Sequence, residues 1–269
     1  MSRKLPGFGL SLGIVLFWLS AIVVVPLSAL VGESFALPWE GWTRILLDPR
    51  TLSAFRVSLL CSLGAAALNA VMGTVVAWIL VRYPFPGKRV VDALVDMPFA
   101  LPTAVAGITL TSLWSPHGWL GAPLAELGIR VAYTPLGIVL ALAFVGLPFS
   151  VRTVQPVLEE LPAEVEEAAG LLGADRLQTI LRVILPALRP AILAGFALSF
   201  ARGLGEYGSV VFISGNLPGR TEIVPLLVMQ KLEEFKAPEA AVLGVGMLVL
   251  SFLFLLPANW LQTRLRRGR

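Results

Sequence analysis

Two side chains of opposite charge interrupt a long apolar segment in the second half of the sequence. Arg202 and Glu206 both fall within about 187–213. Four residues apart on a helix, they share one face and can form an ion pair. If the helix starts near Arg189, Arg202 lies roughly 20 Å along its axis. Charged residues at such depth face a bundle interior or an aqueous cavity, so the pair is either a structural ion pair or an element of an anion pathway.

Small residues and helix breakers surround this pair. Small residues recur at every fourth position of an adjacent stripe, at Ala191, Gly195, Ser199 and Gly203. The stripe permits close packing of helices, or else it lines a subunit interface through which an oxyanion passes. Helix-breaking residues follow, namely Gly205, Gly208, Gly215 and Pro218. They favour a broken helix that could form an external gate.

The inventory of reactive side chains argues against enzymatic chemistry. His117 is the only histidine and Cys61 the only cysteine. A serine nucleophile would lack a histidine base within a span, and the metalloprotease signature H-E-x-x-H is absent from the sequence. The sequence therefore predicts no catalytic site, no metal site and no internal disulfide.

Composition places these residues in a membrane. Of the 269 residues, 57% are hydrophobic and 14% are charged, against about 25% charged in soluble domains. Stretches of about 20 apolar residues predict an all-α integral membrane protein with six transmembrane helices. These spans are placed at about 10–31, 57–81, 95–114, 133–153, 187–213 and 240–262, and one domain, 1–269, contains them all. Pro98 and Pro102 predict a kink or break in the third span.

The distribution of Lys and Arg predicts the orientation. Basic residues concentrate in alternate segments, with Arg3 and Lys4 first, then Arg82, Lys88 and Arg89, then Arg152, Arg176, Arg182 and Arg189, and finally Arg264, Arg266, Arg267 and Arg269. Both termini are therefore predicted to be cytoplasmic. The basic residues form no dense patch with interleaved aromatics, so nucleic acid is not an expected partner.

The predicted cytoplasmic loop, about 159–186, has the composition of two short helices. Pro162 is placed to start the first, and Gly173 to supply the turn that ends it. Asp175 can cap a second helix, which is expected to run from Arg176 to Val183 and to stop before Pro186. By composition alone, the loop is a solvated helical hairpin.

One spacing in this loop is more specific. Glu167-Ala168-Ala169, then Gly173, then Val183-x-Leu185-Pro186 resembles the EAA loop of ABC importer permeases, with Val183 replacing the family's Ile. The resemblance implies that these residues form a coupling helix which docks on an ATP-hydrolysing subunit. Because this sequence has no G-x-x-x-x-G-K-[ST] motif of its own, ATP and Mg²⁺ are expected to be used by that partner.

Further segments extend the resemblance over nearly the whole chain. They are Leu5-Pro-Gly-Phe, 96–107, 151–160 and 205–216. Together they are similar to the T-type permease subunit of bacterial sulfate/thiosulfate ABC importers, and more loosely to molybdate permeases. The resemblance implies the type I importer architecture in the inner membrane. It also implies a heterodimer with a W-type permease subunit, an ATP-binding subunit dimer and a periplasmic sulfate-binding protein.

Four residues near the outer half of the fifth span complete the candidate site. We assign Ser199, Arg202, Glu206 and Tyr207 to the translocation pathway or its gate. An intramembrane enzyme and a structural membrane protein are the alternatives. A structural protein would not need the EAA spacing, and copurification of an ATPase would separate an importer from both.

Overall fold

The computed structural model describes residues 7–267, and every regular element in that part of the chain is helical. Thirteen helices are numbered here, α1 Phe8–Ser34, α2 Trp39–Leu46, α3 Pro49–Arg82, α4 Lys88–Val95, α5 Met97–Ala100, α6 Thr103–Trp114, α7 Gly121–Glu126, α8 Pro135–Glu160, α9 Ala163–Leu171, α10 Arg176–Leu204, α11 Val210–Ile213, α12 Val224–Glu233 and α13 Ala237–Arg267. Arg3, Lys4 and Arg269, used in the orientation argument, lie outside the described residues.

Within the described residues, five helices are long and apolar enough to cross a membrane: α1, α3, α8, α10 and α13 up to Pro257. The predicted all-α membrane architecture is confirmed. The count of six spans stays a prediction, because α6, the apolar helix in the third predicted span, is shorter than these five.

Three of the long helices, α3, α8 and α10, form the centre of the bundle. Their backbones approach closely where glycine faces serine. A Cβ on Gly195 of α10 would lie 2.9 Å from Ser150 Cα of α8, and one on Gly73 of α3 would lie 2.6 Å from Ser150 Cβ. A third contact brings Gly146 of α8 against Ser199 of α10. Larger residues would therefore push the three helices apart.

The ends of the bundle can be distinguished by their connections. Arg82, at the end of α3, donates a hydrogen bond of 3.0 Å to the carbonyl of Leu161, which links α8 to α9. We call this the hairpin end, because α9 and the start of α10 form a helical hairpin there. At the opposite end, α3 starts at Pro49, and the carboxylate of Asp48 accepts hydrogen bonds from the N–H groups of Arg50 and Thr51.

The third predicted span is broken. Helix α5 ends at Ala100, and Leu101 and Pro102 have extended backbone with ψ of 128° and 129° before α6 starts at Thr103. Pro102 restricts the residue before it to extended conformations, which accounts for Leu101. The prolines were predicted to kink or break the helix, and in the structure the helix is fully interrupted.

The predicted end of the second loop helix before Pro186 is wrong. Helix α10 continues without interruption from Arg176 to Leu204. Just before Pro186 the helix widens into a π-turn over Ile180–Ile184, in which the N–H of Leu185 bonds to the carbonyl of Ile180. A π-turn is one way in which a helix continues past an irregularity such as a proline.

The same helix ends earlier than the fifth predicted span, which was placed to Ile213. It stops at Leu204, and Gly205 begins a turn before the short helix α11. Glycine has a low helix propensity, which favours the end of the helix at Gly205. The N–H groups of Val210 and Val211 donate to the carbonyl of Tyr207 and so form a separate turn. Of the helix-breaking residues predicted in this segment, Gly205 is the one at which the helix ends.

Helix α1 packs little against the rest of the chain. None of the residues Phe8–Leu19 is buried, although their side chains are almost all apolar. Its last turns contact α13, where Leu30 Cδ1 lies 3.4 Å from the position of a Cβ on Gly244. Such a helix needs lipid or another protein around it.

Candidate functional site

Two segments that carry the sequence resemblance meet at Arg152. Arg152 of α8 donates to both carboxylate oxygens of Asp96, at 2.9 Å from Nε and 2.6 Å from Nη2. Its Nη1 also donates to Asp92 and Gln155, each at 2.6 Å. A bidentate arginine–carboxylate pair fixes orientation as well as distance. It therefore fixes the start of 96–107 against α8 and positions the broken third span.

The other end of 96–107 contacts the segment 205–216. A Cβ on Gly107 would lie 2.5 Å from the carbonyl oxygen of Ser209 and 2.9 Å from its Cα. A Cβ on Gly208 would meet the side chain of Thr103. Glycine fits both contacts because Gly107 lies against the backbone of Ser209 and Gly208 against the side chain of Thr103. Three of the recognised segments thus form one continuous structure.

Arg202 and Glu206 form the predicted ion pair, with Arg202 Nη1 2.6 Å from Glu206 Oε2. The other carboxylate oxygen, Oε1, accepts hydrogen bonds of 2.9 Å from both the N–H and the hydroxyl of Ser209. The Glu206 side chain is 2% exposed, whereas that of Arg202 is 35% exposed. The glutamate therefore anchors the turn after α10, whereas part of the guanidinium remains at the surface.

Of the remaining pathway candidates, Tyr207 and Ser199 differ in exposure. Tyr207 is 37% exposed and lies beside this ion pair in the turn. Ser199 is buried and its hydroxyl accepts a 2.9 Å hydrogen bond from Asn69 Nδ2 of α3. The stripe that contains Ser199 packs on α3 and α8 inside the chain, as the packing alternative for this stripe predicts, and the assignment of Ser199 to the pathway stays a prediction.

The EAA residues occupy the hairpin, and their exposure differs. Glu167 and Ala168 are exposed on α9, while Ala169 is buried against the protein. Gly173 adopts a left-handed backbone with φ of 84°, as a tight turn between two helices requires. Asp175 caps α10 with a capping box, since its carboxylate accepts from Gln178 N–H at 2.7 Å and Gln178 Oε1 accepts from its N–H at 3.2 Å.

The last three EAA residues lie on α10. Val183 is in the π-turn, and Leu185 and Pro186 follow at its end. Val183 and Pro186 are half-buried and Leu185 is exposed. The hairpin is also fixed to α3, because Arg82 Nη2 lies 2.9 Å from Glu166 Oε1.

Two leucines at the tip of the hairpin were missed by the sequence argument. Leu171 and Leu172 are 90% and 89% exposed. They directly precede the turn at Gly173, so they project from the hairpin end. An apolar pair on a charged loop was a sequence signal for a contact surface.

A second missed cluster lies at the opposite end of the bundle. Arg50 donates to both carboxylate oxygens of buried Glu222, at 2.8 and 2.6 Å, and to Gln230 at 2.6 Å. Nearby, the ammonium of Lys236 lies 2.9 Å from Glu234, where it lowers the pKa of this exposed carboxylate. No local spacing links Arg50 to Glu222, so sequence alone gave no signal for the pair.

The chain is similar in sequence to several known membrane transport proteins. The chain is 50% identical over 265 residues to the sulfate transport system permease protein CysT of Salmonella typhimurium, covering 98% of this chain and 96% of that protein. It is 49% identical to CysT of Escherichia coli over 265 residues, with the same coverage. CysT of Synechocystis sp. is 48% identical over 254 residues, covering 94% and 89%.

Solved structures share the fold at low sequence identity. A bacterial ABC transporter that imports the acidic polysaccharide alginate superposes with a TM-score of 0.76 at 17% identity, covering 96% of each chain. The MetNI methionine ABC transporter gives a TM-score of 0.57 at 18% identity, covering 81% of this chain and 94% of that one. Residues 3–269 match the family described as binding-protein-dependent transport system inner membrane component. The protein therefore belongs to this family of membrane permeases, whose members are transport subunits and not enzymes.

Proposed function

We propose that this chain is a permease subunit of an ATP-driven importer that carries sulfate and thiosulfate across the bacterial inner membrane. The observation that carries the importer role is the exposed hairpin, with its EAA residues, its left-handed turn at Gly173 and its apolar tip at Leu171 and Leu172. The choice of sulfate is supported by the relatives that are about half identical over nearly the full length and are named sulfate permeases.

The hairpin is the docking element for a partner ATPase in this proposal. Its tip is apolar and exposed, and Glu167 beside it supplies a charged anchor. Its connection to the bundle is stiff, because α10 continues from the hairpin into the core without a break. A displacement of the hairpin by the ATPase is therefore transmitted along α10 to Arg202 near its far end. ATP and Mg²⁺ would be bound by that partner.

The orientation follows from this role, with the hairpin end and both termini in the cytoplasm. The opposite end, which carries α2 and α12, then faces the periplasm. There a sulfate-binding protein would deliver the anion. An alginate ABC transporter solved with a periplasmic protein has the same fold, with a TM-score of 0.77 at 16% identity, covering 94% of this chain and 93% of that one.

Arg202 is the residue proposed to act on the anion. Its guanidinium is partly exposed, and one of its nitrogens pairs with Glu206. An oxyanion gains from a nearby guanidinium, while the carboxylate of Glu206 keeps the attraction weak enough for release. Tyr207 lies beside them at the gate. A W-type permease subunit would supply the other half of the pathway as a heterodimer.

A reconstituted complex tests the proposal. The complex of this chain with a W-type permease and the ATPase is reconstituted in liposomes together with a sulfate-binding protein. ATP is supplied in the compartment that the hairpin end of the chain faces. Uptake of radiolabelled sulfate that depends on ATP and is reduced by excess thiosulfate is expected. Uptake of molybdate with none of sulfate would reject the proposed substrate, and uptake without ATP would reject the importer mechanism.

A further inference from the structure

An open apolar groove lies on the outer surface of the bundle, next to the short helix α2. Its volume is about 420 Å³. Side chains from three helices line it, among them Trp42 and Leu46 of α2, Leu52 and Phe55 of α3, and Val249 and Leu253 of α13. Gly246 lets Phe55 and Leu46 pack closely against α13, because a Cβ there would lie 3.0 Å from Phe55 Cζ and 3.2 Å from Leu46 Cδ2. The groove has the chemistry of a site for a hydrocarbon chain.

Two tryptophans indicate the depth of this groove in the membrane. Trp39 and Trp42 stack with ring centroids 6.4 Å apart, and Trp42 Nε1 donates a 2.9 Å hydrogen bond to the carbonyl of Ser34. Tryptophan concentrates at the boundary between headgroups and hydrocarbon. The groove therefore starts at headgroup level and extends along α3 and α13 into the hydrocarbon.

One cation lies beside the groove, and the described part of the chain offers it no ion-pair partner. Arg56 follows Phe55 and is one turn beyond Leu52, in an exposed stripe of α3 that is otherwise apolar and includes Leu60. Among the described residues, no carboxylate lies within ion-pair distance of Arg56, and the nearby acids Asp48 and Glu222 are engaged with the start of α3 and with Arg50.

The depth of Arg56 matches that of a lipid phosphate. It lies seven residues after Pro49, or about 10 Å along α3. Helix α3 has 34 residues, about 50 Å, and so extends about 10 Å beyond each side of a hydrocarbon layer of about 30 Å when centred. The guanidinium is then at the hydrocarbon boundary, where long basic side chains reach toward headgroups.

We propose that Arg56 and this groove form a binding site for one phospholipid, with the phosphate on Arg56 and an acyl chain in the groove. A guanidinium donates two parallel hydrogen bonds to a phosphate, which supplies the missing counter-charge. A free inorganic anion would leave the groove empty, and an apolar helix of another subunit would leave Arg56 unpaired. The site rests on the membrane location of the chain and not on the transported substrate.

Native mass spectrometry of the purified, delipidated importer complex tests this site. The complex is titrated separately with phosphatidylglycerol, with inorganic phosphate and with diacylglycerol. One tightly bound phosphatidylglycerol is expected, with at least about tenfold weaker binding in Arg56→Gln, because the neutral amide cannot replace the two charge-assisted hydrogen bonds of the guanidinium. Val249→Trp should weaken it similarly by filling the groove, since Val249 is exposed there. Arg56→Lys should retain most of the binding.

Two matched controls isolate the site. Arg130→Gln removes the same charge from an exposed loop elsewhere, and Leu60→Trp adds the same bulk to the exposed stripe away from the groove. Neither should change lipid binding. Equal binding of phosphatidylglycerol by the wild type and Arg56→Gln would overturn the proposal. So would binding of inorganic phosphate or of diacylglycerol that is as tight as that of phosphatidylglycerol, because the site is proposed to need both the phosphate and the acyl chain. Lipid binding that appears only after removal of another subunit would assign the groove to that subunit. If Arg56→Gln fails to assemble, Val249→Trp decides, because unchanged lipid binding in that variant would overturn the proposal.

Discussion

Arg50 and Glu222 are joined by two hydrogen bonds although 172 residues separate them in the sequence. The Glu222 side chain is fully buried, whereas Arg50 is 37% exposed. The pair ties the first turn of α3 to the segment that leads into α12. It therefore closes the end of the bundle opposite the hairpin.

Removal of the arginine should be more damaging than neutralisation of the glutamate. Arg50→Ala leaves a buried carboxylate without its counter-ion, and we expect a loss of about 2 kcal/mol, below the 3–5 kcal/mol typical of fully buried pairs because Arg50 is partly exposed. Glu222→Gln should cost less. The melting temperature of the purified protein measures both, and equal melting of Arg50→Ala and wild type would contradict the structural role.

The turn of the hairpin should be sensitive to a side chain at Gly173. Gly173→Ala forces a left-handed backbone on a residue with a Cβ, at a cost of about 1–2 kcal/mol. We expect lower uptake and weaker ATPase association at normal abundance. The matched control is Gly170→Ala, because Gly170 is equally open but helical, so alanine should be tolerated or slightly stabilising there.

Charge reversal at Glu167 tests the proposed ATPase contact. Glu167 is exposed, so Glu167→Lys should leave the protein folded while repelling the partner groove that accommodates a carboxylate. Copurification of the ATPase should fall, and uptake with it. Glu164→Lys makes the same change on an exposed position of the same helix and should have little effect. Full association of the Glu167 variant would remove this residue from the coupling role.

Variants of Arg202 and Glu206 distinguish a structural role of this ion pair from a role in transport. Either single removal leaves an unpaired charge in the bundle and should impair assembly or uptake, whereas Arg202→Met combined with Glu206→Gln should assemble better than either single variant. We expect this double variant to be abundant yet defective in sulfate uptake. Restored uptake would make the pair structural, and normal uptake by Arg202→Ala at normal abundance would remove both roles.

Single cysteines test the orientation. Cys61, the only cysteine of the sequence, is replaced first so that each introduced cysteine is the only thiol of its variant. Cysteines are then introduced singly at positions 44 and 175. An impermeant thiol reagent, added to cells whose outer membrane has been opened, should label position 44 and leave position 175 unlabelled until the inner membrane is broken. The reverse pattern would place the hairpin outside.

Local spacing predicted the parts of the site that depend on near neighbours in sequence. The Arg202–Glu206 pair, the turn at Gly173 and the cap at Asp175 are each settled within four residues by helix geometry. Pro186 misled the prediction, because the rule for proline assumes an α-helical ladder and the chain has a π-turn there.

Contacts between distant segments were beyond the sequence argument. The Arg152–Asp96 and Arg50–Glu222 pairs depend on how the helices pack, and no periodicity of one helix reveals its partner on another. The packing of Ser199 was open for the same reason. Its stripe of small residues was compatible with an interface on either side, and only the position of Asn69 and Gly146 shows that the interface is internal.

The glycine–serine contacts of the central helices determine where this protein can bend. Because Ser150 packs closely against both Gly73 and Gly195, sliding of helices α3, α8 and α10 past one another would cause steric clashes, and we expect the three helices to move together. We therefore expect bending in non-helical segments beside these helices, such as Leu101–Pro102 and Gly205–Ser209. These two segments meet where Thr103 packs against Gly208, so rotation at one is mechanically linked to rotation at the other.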